Sequence, residues 1–177
     1  MRKRKLNSGG FTLSELLVVV LILSIVMIVV VGGVTVVKNS YTSIKLRAES
    51  DTLMSTAIAD VMDEMRYAGE IKTEAQTYTD SSGSAKTENV TTFLSGTRGY
   101  RIFFFNDSGS KGIMLSAADV TKSQNAPLLT GKSMPDGLIP SISYTYDETS
   151  GLFTATITIS HNGSEFAKQT ITARPLN

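Results

Sequence analysis

The sequence predicts an α+β fold: one long N-terminal helix, membrane-spanning in its first half, packed on a C-terminal antiparallel sheet of about four to five strands. Three observations carry that expectation. Leu16–Val37 is a run of twenty-two residues without a charge. Neither Gly nor Pro occurs between Val34 and Ala68, so nothing interrupts a helix there. From residue 99 onward, apolar and polar residues alternate between clusters of turn formers, the signature of short strands.

The apolar run comes first. At about 1.5 Å per residue it spans about 30 Å as a helix, the thickness of a bilayer's hydrocarbon core. It is apolar on all sides, so in water it would need burial all round. In lipid a helix is the single-segment way to satisfy the backbone. Residues 16–37 are therefore read as transmembrane. Arg2, Lys3, Arg4 and Lys5 precede the run, and no acidic residue occurs before Glu15. The positive-inside bias then puts the N-terminus in the cytoplasm and the chain beyond Lys38 outside. A secretory signal peptide fits less well, because the run is long, no small-residue cleavage pattern follows it, and the helical pattern continues.

The helix continues to about Gly69, read as a cap just past its end. Val37, Tyr41, Ile44 and Ala48 form one stripe, and Met54, Ile58, Val61, Met65 and Ala68 a second, broadened by Leu53, Ala57 and Met62. The upper half is expected to pack on its own domain and the lower half to face other helices. Residues 11–69 as one helix would extend about 87 Å.

Residues 70–98 read as a connecting region. Thr79–Thr87 is polar and rich in Ser and Gly, suggesting an exposed, mobile loop, with a short strand at Val90–Leu94. Residues 99–177 form the β head. Tyr100–Phe105, Gly112–Ser116, Ile139–Tyr146, Leu152–Ser160 and Glu165–Ala173 are the expected strands. Asn162-Gly163 marks a type I′ hairpin turn between the last two.

Composition narrows function. There is no Cys and a single His, His161, which removes disulfide frameworks, thiol nucleophiles and Cys/His zinc sites. The net charge is +1; setting aside the four leading basic residues leaves 13 basic against 16 acidic. A mildly acidic body with one basic tip predicts no nucleic-acid partner. His161 beside a hairpin is a turn residue, since nothing assembles a base–nucleophile pair around it. Asp147-Glu148 lacks the oxygen spacing of a calcium loop. No catalytic residue, metal or cofactor is expected, and the chain is not read as an enzyme.

The stretch Gly9-Gly10-Phe11-Thr12-Leu13-Ser14-Glu15-Leu16 resembles the processing site of type IV prepilins and pseudopilins: a short basic leader ending in Gly, then Phe, then a Glu five residues in, then the apolar helix. The resemblance covers about Met1–Val37. It implies cleavage by a prepilin peptidase between Gly10 and Phe11, removal of residues 1–10, and N-methylation of Phe11. It implies further partners: other pilin or pseudopilin subunits, and an inner-membrane assembly platform. The processed chain would leave the cytoplasmic membrane for an extracytoplasmic or cell-surface filament. Glu15 has two readings. One is a capping box with Thr12. The other, implied by the resemblance, is assembly, in which the carboxylate pairs with the freed N-terminal amine of a neighbouring subunit. Gly32 and Gly33 likewise suit either close helix packing or a point of helix flexibility during assembly. Glu15 argues against tip-type pseudopilins that lack this glutamate, and the missing Cys against many major pilins. A minor pilin or pseudopilin is the resulting expectation. The alternative is a single-pass membrane-anchored binding module or adhesin ectodomain that does not polymerise and keeps its leader.

Overall fold

A computed structural model describes residues 10, 12–108, 112–118, 125–129 and 137–176. The chain divides into two compact units, residues 1–45 and 46–177. Helix α1, Leu13–Arg66, is the element common to both. It is followed by strands β1 (Ala68–Thr79), β2 (Ala85–Ser95), β3 (Arg101–Asp107), β4 (Gly112–Ala117), β5 (Asn125–Leu129), β6 (Leu138–Asp147), β7 (Leu152–His161) and β8 (Ser164–Ala173). The α+β class with a long N-terminal helix and antiparallel strands is as expected.

In the first unit every side chain from Leu13 to Lys45 is exposed. The helix is long and apolar enough to cross a membrane. The hydroxyls of Ser24 and Thr35 are satisfied within it: Ser24 Oγ donates to Val20 O at 2.8 Å and Thr35 Oγ1 to Val31 O at 3.2 Å. Turning a hydroxyl onto the preceding turn lets a polar side chain sit in an apolar run without an unmet donor.

In the second unit the helix segment from Leu46 buries Ser50, Met54, Ala57, Val61, Glu64 and Met65. The spacing of three and four residues is that of one helical face. It meets a core drawn from two sheets, one ordered β1-β2-β3-β4-β5 and the other β6-β7-β8. Both are antiparallel throughout. Phe93, Phe104 and Phe153 are fully enclosed, with ring centroids 5.5–5.7 Å apart. Such tilted contacts add about 0.5–1.5 kcal/mol each beyond area burial. Phe153, Ala155, Ile157 and Ile159 share the buried face of β7, as their alternation predicts. Asn162 and Gly163 have φ of 51° and 79°, the two left-handed residues that a type I′ turn demands.

Three expectations are corrected. Residues 70–98 are not a connecting region: most of them form the β1–β2 hairpin, whose second strand contains the expected Val90–Leu94, and together with the unexpected β5 it raises the strand count to eight in two sheets. The polarity that suggested a loop is the polarity of a largely solvent-facing hairpin built on threonine. Thr73 and Thr77 lie opposite Thr91 and Thr87, and their hydroxyls meet at 3.4 and 2.8 Å. The Ser-rich tip is a pinned turn: Asp80 is buried and accepts the Ser82 and Ser84 amides at 3.0 Å, while Asp107 accepts the Ser81 amide at 2.7 Å. Gly69 does not cap the helix. The helix ends at Arg66, and Gly69 already lies in β1. The exposed carbonyls at the helix end are capped from afar, with Leu176 N–H donating to Arg66 O at 2.9 Å and Gly96 N–H to Tyr67 O at 3.0 Å. A Cβ on Gly96 would stand 2.7 Å from that Tyr67 oxygen, so only glycine allows the approach.

Candidate functional site

Of the residues singled out by the sequence, Thr12 and Glu15 lie at the start of α1. Thr12 lies just outside the helix and caps it. Its amide donates to Glu15 Oε2 at 2.9 Å and its hydroxyl to the same oxygen at 2.7 Å. The Glu15 amide points back to Thr12 Oγ1 at 3.4 Å, the long arm of a reciprocal capping box. Leu16 N–H then donates to Thr12 O at 3.2 Å and opens the helical ladder. A carboxylate in the first turn also meets the positive end of the helix dipole. Among the described residues Glu15 Oε1 takes part in none of these bonds.

Gly10 is exposed, and a Cβ there would touch nothing. Phe11 and residues 1–9, which carry the basic leader and the other half of the expected scissile bond, lie outside the described residues. Gly32 and Gly33 sit mid-helix, about 25 Å along the axis from Glu15. A Cβ at either would meet nothing within 4 Å, so neither glycine serves packing within this chain. The structure thus brings Thr12, Ser14 and Glu15 together and leaves the two glycines apart from them.

No group of three or more His, Cys, Asp or Glu side chains that could hold a metal occurs among the described residues. The Asp147 oxygens close their own turn, accepting the Thr149 amide at 2.9 Å and the Ser150 hydroxyl at 2.7 Å. Those bonds, Ser150 first, hold the carboxyl below its ordinary range. His161 stands at the end of β7 with its ring 6.3 Å from that of Phe166.

Two polar clusters of the second unit had no sequence signal. In the first, Glu64 is buried and accepts Ser95 Oγ at 2.6 Å, Thr97 Oγ1 at 3.0 Å and Arg98 Nε at 2.9 Å. In the second, β2 and β3 pair only at Phe93–Ile102 and Leu94–Arg101 and then part. Tyr144 of β6 fills the split, its hydroxyl accepting Phe104 N–H at 3.1 Å and donating to Thr91 O at 2.7 Å. Farther along, the Asn106 amide pairs with the backbone of Ile142. Each cluster joins residues more than thirty positions apart, so only the folded chain reveals it.

Residues 5–31 match the family model described as the prokaryotic N-terminal methylation motif. The match supports a type IV pilin or pseudopilin family and points to a structural subunit. No curated protein and no solved structure matches the chain.

Proposed function

We propose that this chain, the bearer of a prokaryotic N-terminal methylation motif over residues 5–31, is a type IV pilin-like filament subunit of the minor pilin or pseudopilin kind. The observation that carries the reading is the coincidence of that motif with a helix whose apolar side chains are all exposed from Leu13 to Val37. A surface of that kind needs lipid or other helices around it. In this reading the chain is made as a single-pass precursor with its N-terminus in the cytoplasm. Prepilin peptidase cuts between Gly10 and Phe11 and methylates the Phe11 amine. The rod then exchanges lipid for neighbouring subunits at an inner-membrane assembly platform.

Glu15 supplies the specificity of that exchange. A carboxylate taken into a hydrocarbon or helix-lined environment costs several kcal/mol unless it is paired, and the new amine of a neighbour is a cation at the matching depth. Among the described residues the cap uses only Glu15 Oε2, which supports this role. Gly32 and Gly33, which pack against nothing in their own chain, are positions where the helix can extend as subunits leave the bilayer.

Mass spectrometry of the N-terminus tests the reading. The expected mature chain begins at Phe11 and carries one additional methyl mass. Recovery of intact Met1–Gly10 from cells with an active peptidase would reject it in favour of an anchored, non-polymerising module.

A further inference from the structure

Asn162 and Gly163 close the β7–β8 hairpin between the paired residues His161 and Ser164. Both turn residues are exposed, and a Cβ on Gly163 would meet nothing within 4 Å. Neither the Asn162 side chain nor the Gly163 amide has a hydrogen-bond partner among the described residues. The carboxamide and the amide nitrogen that follows it are therefore free to react with each other. Joining Gly163 N to Asn162 Cγ makes a cyclic imide. That ring holds ψ of its first residue at about −120°, the value found at the first central position of a type II′ turn, where φ is about +60°. Asn162 already has φ of 51°. Turning over the single peptide plane between Asn162 and Gly163 carries the type I′ turn to type II′, and glycine tolerates the change of φ that falls on it. The ring can thus form with the flanking strands still paired.

The other described asparagines lack these conditions. Asn39 lies within α1, where the following amide is spent on the helical ladder. Asn89 lies in the paired part of β2 and precedes Val90, whose branched Cβ crowds the attacking nitrogen. Asn106 has both atoms of its amide held by the Ile142 backbone at 2.8 Å. Asn125 donates to Thr79 O at 2.6 Å and precedes Ala126.

We propose that Asn162 is a self-modifying site, which converts to aspartate and isoaspartate without an enzyme. The deprotonated Gly163 nitrogen bonds to Asn162 Cγ, the Cγ–Nδ2 bond breaks, and Nδ2 takes a proton from water and leaves as ammonia. Water then opens the imide. Cleavage between the nitrogen and Cγ gives aspartate on an unchanged backbone. Cleavage between the nitrogen and the main-chain carbonyl gives isoaspartate, with the backbone rerouted through the side chain. Either product places a new carboxylate on the hairpin tip, and the second also lengthens the turn. The proposal is independent of the filament reading.

The test ages the full chain in detergent micelles in mildly alkaline buffer, beside a free peptide covering residues 158–168. Peptide mapping by mass spectrometry reads a gain of about one mass unit at each asparagine, and an isoaspartyl methyltransferase labels the rerouted product. In the folded chain Asn162 should convert at least roughly tenfold faster than Asn39, Asn89, Asn106 or Asn125, and within about tenfold of the free peptide. The hairpin peptide from aged protein should take the label, and the same peptide from fresh protein should not. Asn162→Gln, which would need a larger and slower-forming ring, should abolish both signals in that peptide. A folded chain that lags the free peptide by more than this margin, an Asn162 no faster than the other asparagines, or a label that persists there in Asn162→Gln would each overturn the proposal.

Discussion

The Glu64 carboxylate, only 6% exposed as a residue, lies 2.9 Å from Arg98 Nε and ties the last turn of α1 to the turn between β2 and β3. The Arg98 guanidinium is pushed above its ordinary value, chiefly by its hydrogen bond to Glu64. The pair is asymmetric, since the Arg98 side chain is 36% exposed while that of Glu64 is 8% exposed. Removing the cation strands a buried anion; removing the anion releases a cation to water. Arg98→Ala should therefore cost about 3 kcal/mol, and Glu64→Gln distinctly less. Chemical denaturation of the two variants measures the difference, and equal losses would contradict the asymmetry.

Tyr144→Phe removes the hydroxyl that joins Thr91 O to Phe104 N–H and leaves both backbone groups without that partner. The expected loss is about 1–3 kcal/mol, the cost of an unmet buried polar group. The ring itself stays, so a thermal melt should fall without loss of the core's near-ultraviolet signal.

Thr12 and Glu15 can be separated. Thr12→Ala removes the cap but keeps the carboxylate, costing about 1 kcal/mol of local helix stability. Glu15→Gln keeps an acceptor for Thr12 but deletes the charge. If Glu15 pairs with a neighbour's amine, Thr12→Ala incorporates into filaments and Glu15→Gln does not, while both precursors are still cut. Normal incorporation of Glu15→Gln would reduce Glu15 to a capping residue.

Acid should unfold the β1–β2 turn early. Asp80 is held below its ordinary value by the Ser82 hydroxyl first and then by the Ser84 amide. A carboxyl lowered in the folded state contributes stability above its unfolded value of about 3.9 and loses it as pH falls through the folded one. Melting temperature should thus drop below about pH 4, and Asp80→Asn should flatten that slope while lowering stability at neutral pH.

Much of the fold was legible in local patterns. The apolar run, the unbroken helix and the buried alternation of Phe153, Ala155, Ile157 and Ile159 follow from periodicity alone, and Asn162-Gly163 from the need for two positive φ angles. Of the β1–β2 hairpin only Val90–Leu94 was legible; the rest escaped because its faces are largely polar, so no period of two in hydrophobicity marks it. β5 escaped because it contains Pro127, a residue tolerated there by the strand's place at a sheet edge. At the N-terminus, Thr12-x-x-Glu15 was readable as a capping box and is one. Asn106, Tyr144 and the Glu64–Arg98 pair act across long sequence separations, where no spacing rule reaches.

Ser24 and Thr35 turn their only donors onto their own backbone. Between Leu16 and Val37 the side chains consequently offer an adjoining helix no free hydrogen-bond donor, and little beyond a hydrocarbon cylinder. Two such cylinders could slide or rotate past one another at little cost. Axial register would then have to be set beyond this segment, by the charged and polar groups at its two ends.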